Sequence, residues 1–294
     1  MASRARVVLF KTLGAVMEAL PTSWDIALGR GVARVVGPRT AAAAHLRENL
    51  RHAMSGPDGA VEPALLERCV RRGFAEYGQY WAESAKLPAL SGAQISERFR
   101  LSEGREHLEA AKARGKGVVI ALPHMGSWEW GGAYLAQIDL AMTAVAERLE
   151  PPELFEWFTS KREAIGLRVV PLDEHAGTVL LQTLRDNGVV GLLCDRDLQG
   201  NGVEVEFFGR RVTMPAGPAT LALRTGATLV CASCYAGPGR DHHAVITRPL
   251  EAVRTGGLRE DVTRVTQEIA RVLEGLIQRA PEQWHVLEDR FGRA

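Results

Sequence analysis

The stretch "GVVIALPHMGSWEWGG", residues 117–132, decides how this chain is read. Its first part is a short apolar run of the kind that forms a strand covered on both faces, and the residues after "PHMGS" take up a helical pattern. The turn between them leaves His124 at the carboxyl end of a strand, which is where ligands bind in open parallel α/β sheets. Ser127 is placed to cap the helix, and Glu129 falls in its first turn, where the helix dipole favours a carboxylate. A histidine held by a carboxylate is also the usual way to build a general base of defined tautomer, and five residues across a turn can bring His124 and Glu129 together. On this spacing alone the capped helix start is the simpler account of Glu129.

Further apolar runs, "AMTAVA", "GVVGLLC" and "ATLVCASCYA", alternate downstream with amphipathic stretches of helical length. The alternation predicts an α/β fold: a central, mostly parallel sheet flanked by helices. "EVEFFG" and "HHAVITRPL" alternate polar and apolar residues, which makes them strands nearer the sheet edge. Upstream, helical patterns run through "SWDIALGRGVARVVG", "TAAAAHLRENLRHAM" and "PALLERCVRRGFAEYGQYWAESAKL". The expectation is therefore one domain, residues 1–294, with an N-terminal helical extension over 1–88, closed by Pro88, and an α/β core over 89–294. A last helix covers "LREDVTRVTQEIARVLEGLIQRA", and "SGPDGA" is a turn-rich patch.

At 294 residues and 46% hydrophobic, the chain can bury a large α/β core. Its formal charge of +1, with acids and bases interspersed, offers no field to attract nucleic acid, so no nucleic-acid partner is expected. Cys231 and Cys234 form one C-x-x-C inside an apolar, strand-like segment without a second ligand pair. They and Cys69 and Cys194 read as buried free thiols of a reducing compartment. At the N-terminus Leu9 or Phe10, Leu13, Val16 or Met17, and Leu20 recur at helical spacing beside Arg4, Arg6 and Lys11. That suits a helix lying on an anionic membrane surface and equally one packing on its own domain; Lys11 and Glu18 interrupt it too often for a membrane span.

A second strand end bears on His124. "GVVGLLCDRDLQG" runs from an apolar strand into Asp195, Arg196 and Asp197, and if the two strands are parallel these acids share the edge of His124. One would then orient the base; the alternative is a solvated turn with an internal ion pair. No serine sits in G-x-S-x-G and Cys194 has no base beside it in sequence, so direct transfer is simpler than a covalent nucleophile. Neither G-x-G-x-x-G nor a P-loop is present. One strand end supplies too few ligands for metal-dependent hydrolysis. His242 and His243 are expected to face solvent at a strand start.

With "ALPHMGSWEWGG", "AVAERL", "SKREAIG", "CDRDLQGNGVEVEFFG", "RVTMPAGPATLALRTGA" and "PEQWHVL" in this order, the chain resembles the lysophospholipid and lipid A acyltransferase superfamily. Within it, the resemblance is greatest to the actinobacterial phosphatidylinositol mannoside acyltransferases. The resemblance implies transfer of a long-chain acyl group, such as palmitoyl, from acyl-CoA to a mannose 6-hydroxyl of a phosphatidylinositol mannoside. The enzyme would sit peripherally at the inner leaflet, on the cytoplasmic face of the plasma membrane. Acyl-CoA serves as co-substrate, and no cofactor, metal or covalent acyl-enzyme is implied.

By the same resemblance His124 is the general base and Asp195 the acid that orients it. Glu129 matches the acid of the family's H-x4-D/E box, and Glu147, Arg148, Arg162, Asp197 and His285 are expected in the substrate-binding set. Blander readings are a solvated helix face for Arg162 and a C-terminal anchor for Trp284 and His285. The family's pattern has Asp in the box and Glu in the dyad, so the two lengths are exchanged here, and Asp195 must come closer to His124 or act through water. Trp128, Trp130, Tyr134 and Leu135 either line an acyl groove or belong to the core. The alternatives in function are a lipid A or other glycolipid acyltransferase, and a non-catalytic acyl-lipid-binding protein.

Overall fold

The structure, a computed structural model, describes residues 2–21, 24–55 and 60–292, with no account of the side chains of residues 2–6, 9 and 13. The expected roles of Arg4, Arg6, Leu9 and Leu13, and most of the "SGPDGA" turn, thus lie outside what is described. Helices α1 (Ala2–Ala19), α2 (Trp24–Val36), α3 (Ala42–Met54) and α4 (Pro63–Lys86) make the N-terminal helical region. There follow α5 (Gly92–Arg98), β1 (Phe99–Glu103), α6 (Arg105–Ala113), β2 (Val118–Leu122), α7 (Trp128–Gln137), β3 (Met142–Ala146), α8 (Pro152–Ala164), β4 (Arg168–Pro171), α9 (Ala176–Arg185) and β5 (Val189–Leu193). The chain continues through β6 (Val203–Phe207), β7 (Arg210–Met214), α10 (Gly217–Thr225), β8 (Thr228–Ala236), β9 (His242–Ile246) and α11 (Leu258–Gln278).

Seven strands form one sheet in the order β1-β9-β8-β2-β5-β3-β4. β8, β2, β5, β3 and β4 run parallel, and β9 turns back against β8 to pair in parallel with β1. In β2, Val119 and Ala121 face a core layer with α9, α10 and α11, while Val118, Ile120 and Leu122 face a second layer with α5, α6 and α7. A strand so covered has no solvent face, which is why its sequence is an unbroken apolar run.

β9 lies next to the edge, as its alternation predicts, but β6 is not in this sheet. It forms a separate hairpin with β7 across Phe208 and Gly209, whose φ values of 49° and 70° are those of a tight two-residue turn. The hairpin seats on α11, where Gln267 and Glu274 accept the N–H groups of Glu206 and Phe208. Its alternation is that of a strand with one covered face, a pattern that does not say which layer covers it.

α2 and α4 cross almost backbone to backbone: a Cβ on Gly29 would stand 2.6 Å from the Gly78 carbonyl oxygen. Asp25, fully buried at the same contact, is held between Lys86 and Arg240. The far side of α2 is apolar yet exposed, carrying Trp24, Leu28, Val32, Val35 and Val36.

Candidate active site

β2 and β5 are neighbours in register, Leu122 opposite Leu193, so the two chains leave the sheet side by side. Pro123 and Cys194 come next, with the Cys194 N–H donating to the Leu122 carbonyl at 2.9 Å, and then His124 and Asp195. Parallel pairing therefore delivers the histidine and the acid to one point, as the two strand ends predicted.

His124 Nδ1 lies 2.5 Å from Asp195 Oδ1, and the His124 backbone N–H donates to Asp195 Oδ2 at 2.9 Å. A carboxylate only accepts, so Nδ1 carries the proton and Nε2 keeps its lone pair. The shorter acid reaches the imidazole directly, without a bridging water. Asp195 is fully buried. Burial pushes its carboxyl pKa up, but the charge of His124 and the hydrogen bonds from His124 and Trp284 outweigh that and hold it down at about 2. It is therefore a fixed negative charge at any working pH.

The final segment of chain frames this pair. The His285 N–H donates to the His124 carbonyl at 2.7 Å, the Gly126 N–H donates to the Gln283 carbonyl at 2.9 Å, and Met125 bridges to Trp284. Gly126 has φ 54°, and a Cβ there would stand 2.1 Å from the Cys234 carbonyl oxygen, so the loop after the histidine demands glycine. Trp284 Nε1 donates to Asp195 Oδ2 at 2.7 Å. Sequence reading gave this tryptophan only the part of an anchor; its sole outward signal was its place in "PEQWHVL".

Glu129 does not pair with His124. It starts α7 as expected, but Ser127 makes no capping bond with its side chain. Glu129 Oε1 instead accepts from the Tyr80 hydroxyl at 2.8 Å and from Arg162 at 3.3 Å, while Oε2 is buried with no partner. Arg162 lies 4.9 Å over the Trp128 ring, so it belongs to this cluster and not to a bare helix face. Burial, then the Glu129 charge, raise the Tyr80 phenol well above its ordinary pKa, keeping it a donor. Tyr80 was missed in the sequence because it sits within an ordinary helical pattern, far from any strand end.

The other predicted residues lie at varying distance from the dyad. The His285 ring packs against Tyr77 and Tyr80, at 5.5 and 5.3 Å between ring centres. Burial and the neighbouring His124 push its pKa down to about 3, so it is neutral. Glu147 and Arg148 follow β3 on the same sheet edge, both exposed, and Arg148 is tied to Asp173 at 2.6 Å. Asp197 spends its two oxygens on the N–H groups of Gly200 and Gly202, at 3.0 and 2.9 Å, and so shapes the loop into β6. Arg196 pairs with Glu288 across to the C-terminal segment and not with its neighbours in "DRD".

Three further expectations are corrected or sharpened by the structure. His242 does not face solvent: it is buried, stacked on Trp130 at 4.4 Å, with Nε2 3.3 Å from Glu83 Oε1. It lies on β9 where the sheet is covered, and its polar atoms are enclosed by the N-terminal helices that the strand pattern does not report. All four cysteines are buried free thiols. Cys231 and Cys234 point to opposite layers, as residues three apart on a strand must, and cannot share a metal or a disulfide. Trp130, Tyr134 and Leu135 pack in the core, and Trp128 lies at its rim beneath Arg162.

The chain is similar to known proteins over most of its length. The family model described as "Bacterial lipid A biosynthesis acyltransferase" matches residues 1–293. The chain is 38% identical over 250 residues, 84% of its length and 76% of the relative's, to a phosphatidylinositol mannoside acyltransferase of Mycobacterium tuberculosis (strain ATCC 25618 / H37Rv). It is 35% identical over 285 residues, 96% of its length and 88% of the relative's, to the protein of the same name from Mycolicibacterium smegmatis.

Proposed function

We propose that this chain, which belongs to the bacterial lipid A biosynthesis acyltransferase family, moves a long-chain acyl group from acyl-CoA to a mannose 6-hydroxyl of a phosphatidylinositol mannoside. The names of its relatives support the acceptor. The observation that carries the chemistry is the His124–Asp195 pair at the strand ends, with Nδ1 committed to the carboxylate and Nε2 free.

In this reading Nε2 takes the proton of the acceptor hydroxyl as its oxygen attacks the thioester carbonyl. The tetrahedral intermediate collapses with loss of the CoA thiolate, which recovers the proton from the imidazolium, leaving an ester and free thiol. Asp195 stabilises the imidazolium in between. No covalent acyl-enzyme is used: Cys194, the nearest thiol in sequence, is buried and its pKa raised well above normal by desolvation. Glu129 Oε2, buried and unpartnered, is matched to a hydroxyl donor of the sugar. Arg162 fixes Glu129, and His285 contributes a neutral wall. Glu147 and Arg148 lie farther along the same edge, where an acceptor headgroup would extend, and Asp197 acts by holding the loop that borders the site.

Both lipid substrates belong to membranes, and the same reading places the protein peripherally at the cytoplasmic face of the plasma membrane. Among the described residues no helix is long and apolar enough to cross a bilayer. The outward stripe on α2, headed by Trp24 at 68% exposure, has the composition of an interfacial helix. α1 turns Phe10 inward onto Trp81 and Phe158 while Val8 and Val16 stay exposed, so it packs on its own domain and still presents an apolar side.

The deciding test is mass-spectrometric product analysis with palmitoyl-CoA and phosphatidylinositol mannosides, beside the His124→Ala variant. A singly acylated mannoside that vanishes in the variant is the expected result. Full turnover by His124→Ala would sink the mechanism. A product formed only with lipid A precursors would replace the acceptor, and acyl-CoA binding without any transfer would replace catalysis with lipid binding.

A further inference from the structure

We infer that Trp284 is a positioning residue of the dyad, its indole N–H fixing Asp195 in the one orientation that serves His124. This rests on the proposed roles of His124 and Asp195. Of the three hydrogen bonds to the dyad carboxylate among the described residues, two come from His124 itself: Nδ1 on Oδ1 and the backbone N–H on Oδ2. Both move with the β2 strand end, and Cys194 before the acid is tied to that strand by its own N–H. The indole donor at 2.7 Å on Oδ2 is the contact that comes from elsewhere, 89 residues along the chain.

Geometry gives that contact its use. Without a second donor on Oδ2, the carboxyl group can turn about its Cβ–Cγ bond and offer Nδ1 the wrong lone pair. The indole is itself locked. Trp284 is 1% exposed, wedged between Phe207, Phe208 and Phe291 at 6.1, 5.9 and 6.4 Å between ring centres. On either side its backbone is stitched to the histidine loop by the Gly126–Gln283 and His285–His124 bonds. A rigid donor on a rigid strap restrains a buried acid more firmly than a mobile surface side chain could.

The test is Trp284→Phe, which keeps an aromatic ring and deletes the donor. The expected result is a roughly ten- to hundredfold fall in kcat for thiol release from palmitoyl-CoA with mannoside acceptor, at unchanged KM. In an Asp195→Ala background, followed by single-turnover kinetics, Trp284→Phe costs nothing further. If instead kcat stays within threefold of wild type, or the full loss recurs in the Asp195→Ala background, the inference fails and Trp284 is packing alone. Should Trp284→Phe not fold, benzothienylalanine at position 284, which swaps only the N–H for sulfur, is judged by the same criteria. Undiminished turnover by Asp195→Ala retires the dyad reading itself, separately from this one.

Discussion

Among the described residues, two histidine–carboxylate pairs have a tryptophan against them, and they are built to opposite ends. In the first, Trp284 gives its N–H to the acid, the acid grips one imidazole nitrogen, and the His124 side chain is still 21% exposed. In the second, Trp130 lies flat on the His242 ring, the contact to Glu83 is a long 3.3 Å, and the ring is wholly enclosed. Both the Trp130 Nε1 and the His242 Nδ1 are left without partners in the interior. A tryptophan, a histidine and a carboxylic acid thus make a saturated acid with an open imidazole in one place, and an enclosed stack joining β9 to α4 and α7 in the other. What separates them is topology: only the first pair stands where parallel strands end and the chain can open to a ligand.

Substitutions at the two pairs are expected to separate rate from stability. His124→Ala should cost the most, about 10²- to 10⁴-fold in kcat with little change in thermal midpoint, read by steady-state thiol release. Asp195→Asn follows at about 10²-fold or more, because the amide can donate to Nδ1 and hold the wrong tautomer. The wild-type carboxyl, held at about 2, adds no limb to the rate profile above that pH; the stability it contributes is complete above its unfolded value of 3.8 and is lost as pH falls toward 2. His242→Phe should invert the pattern, leaving kcat per folded molecule unchanged while urea unfolding shows a loss of about 1–3 kcal/mol. A large fall in kcat there would erase the distinction between the pairs.

His285 sharpens the comparison from a third position, as a neutral imidazole beside the first pair. Its pKa is about 3 in the folded protein against 6.5 in a free chain, so the unfolded state takes up its proton first. Stability therefore falls as pH drops from about 6.5 toward 3, by up to about 1.4 kcal/mol per pH unit from this group. His285→Gln should flatten that slope in urea titrations run across the range. Smallest is Val32→Glu on the outward face of α2, which leaves both pairs and kcat on detergent-dispersed substrate unchanged but weakens binding to anionic vesicles roughly tenfold in a sedimentation assay.

What could be read in the sequence was set by periodicity. Strands buried on both faces write themselves as apolar runs, so β2, β3, β5 and β8, and with them the meeting of His124 and Asp195, were legible. The edge strands β1 and β4 were not: "FRLSE" is mostly charged or polar, and "RVVP" is four residues ending in proline. Within the site, spacing allowed Glu129 to meet His124 but favoured the plain helix start, and the first-turn side chain is in fact turned toward Tyr80 and Arg162, partners on distant helices that no spacing reports. Trp284 and Tyr80 reach the site from remote helices and loops, and no local pattern encodes that. His242 was misjudged because polarity at a strand start says nothing about what a distant helix will cover.

The exposed stripe on α2, in the proposed interfacial role, would change how such a molecule meets its substrates. An enzyme docked by one helix face no longer samples a volume but a plane, and its encounters with acceptor are set by how many neighbouring lipids are acceptors. If the proposed docking and acceptor hold, its velocity would follow the mole fraction of mannoside in the bilayer, and diluting that lipid with inert phospholipid would slow it even when the total amount in the tube is unchanged.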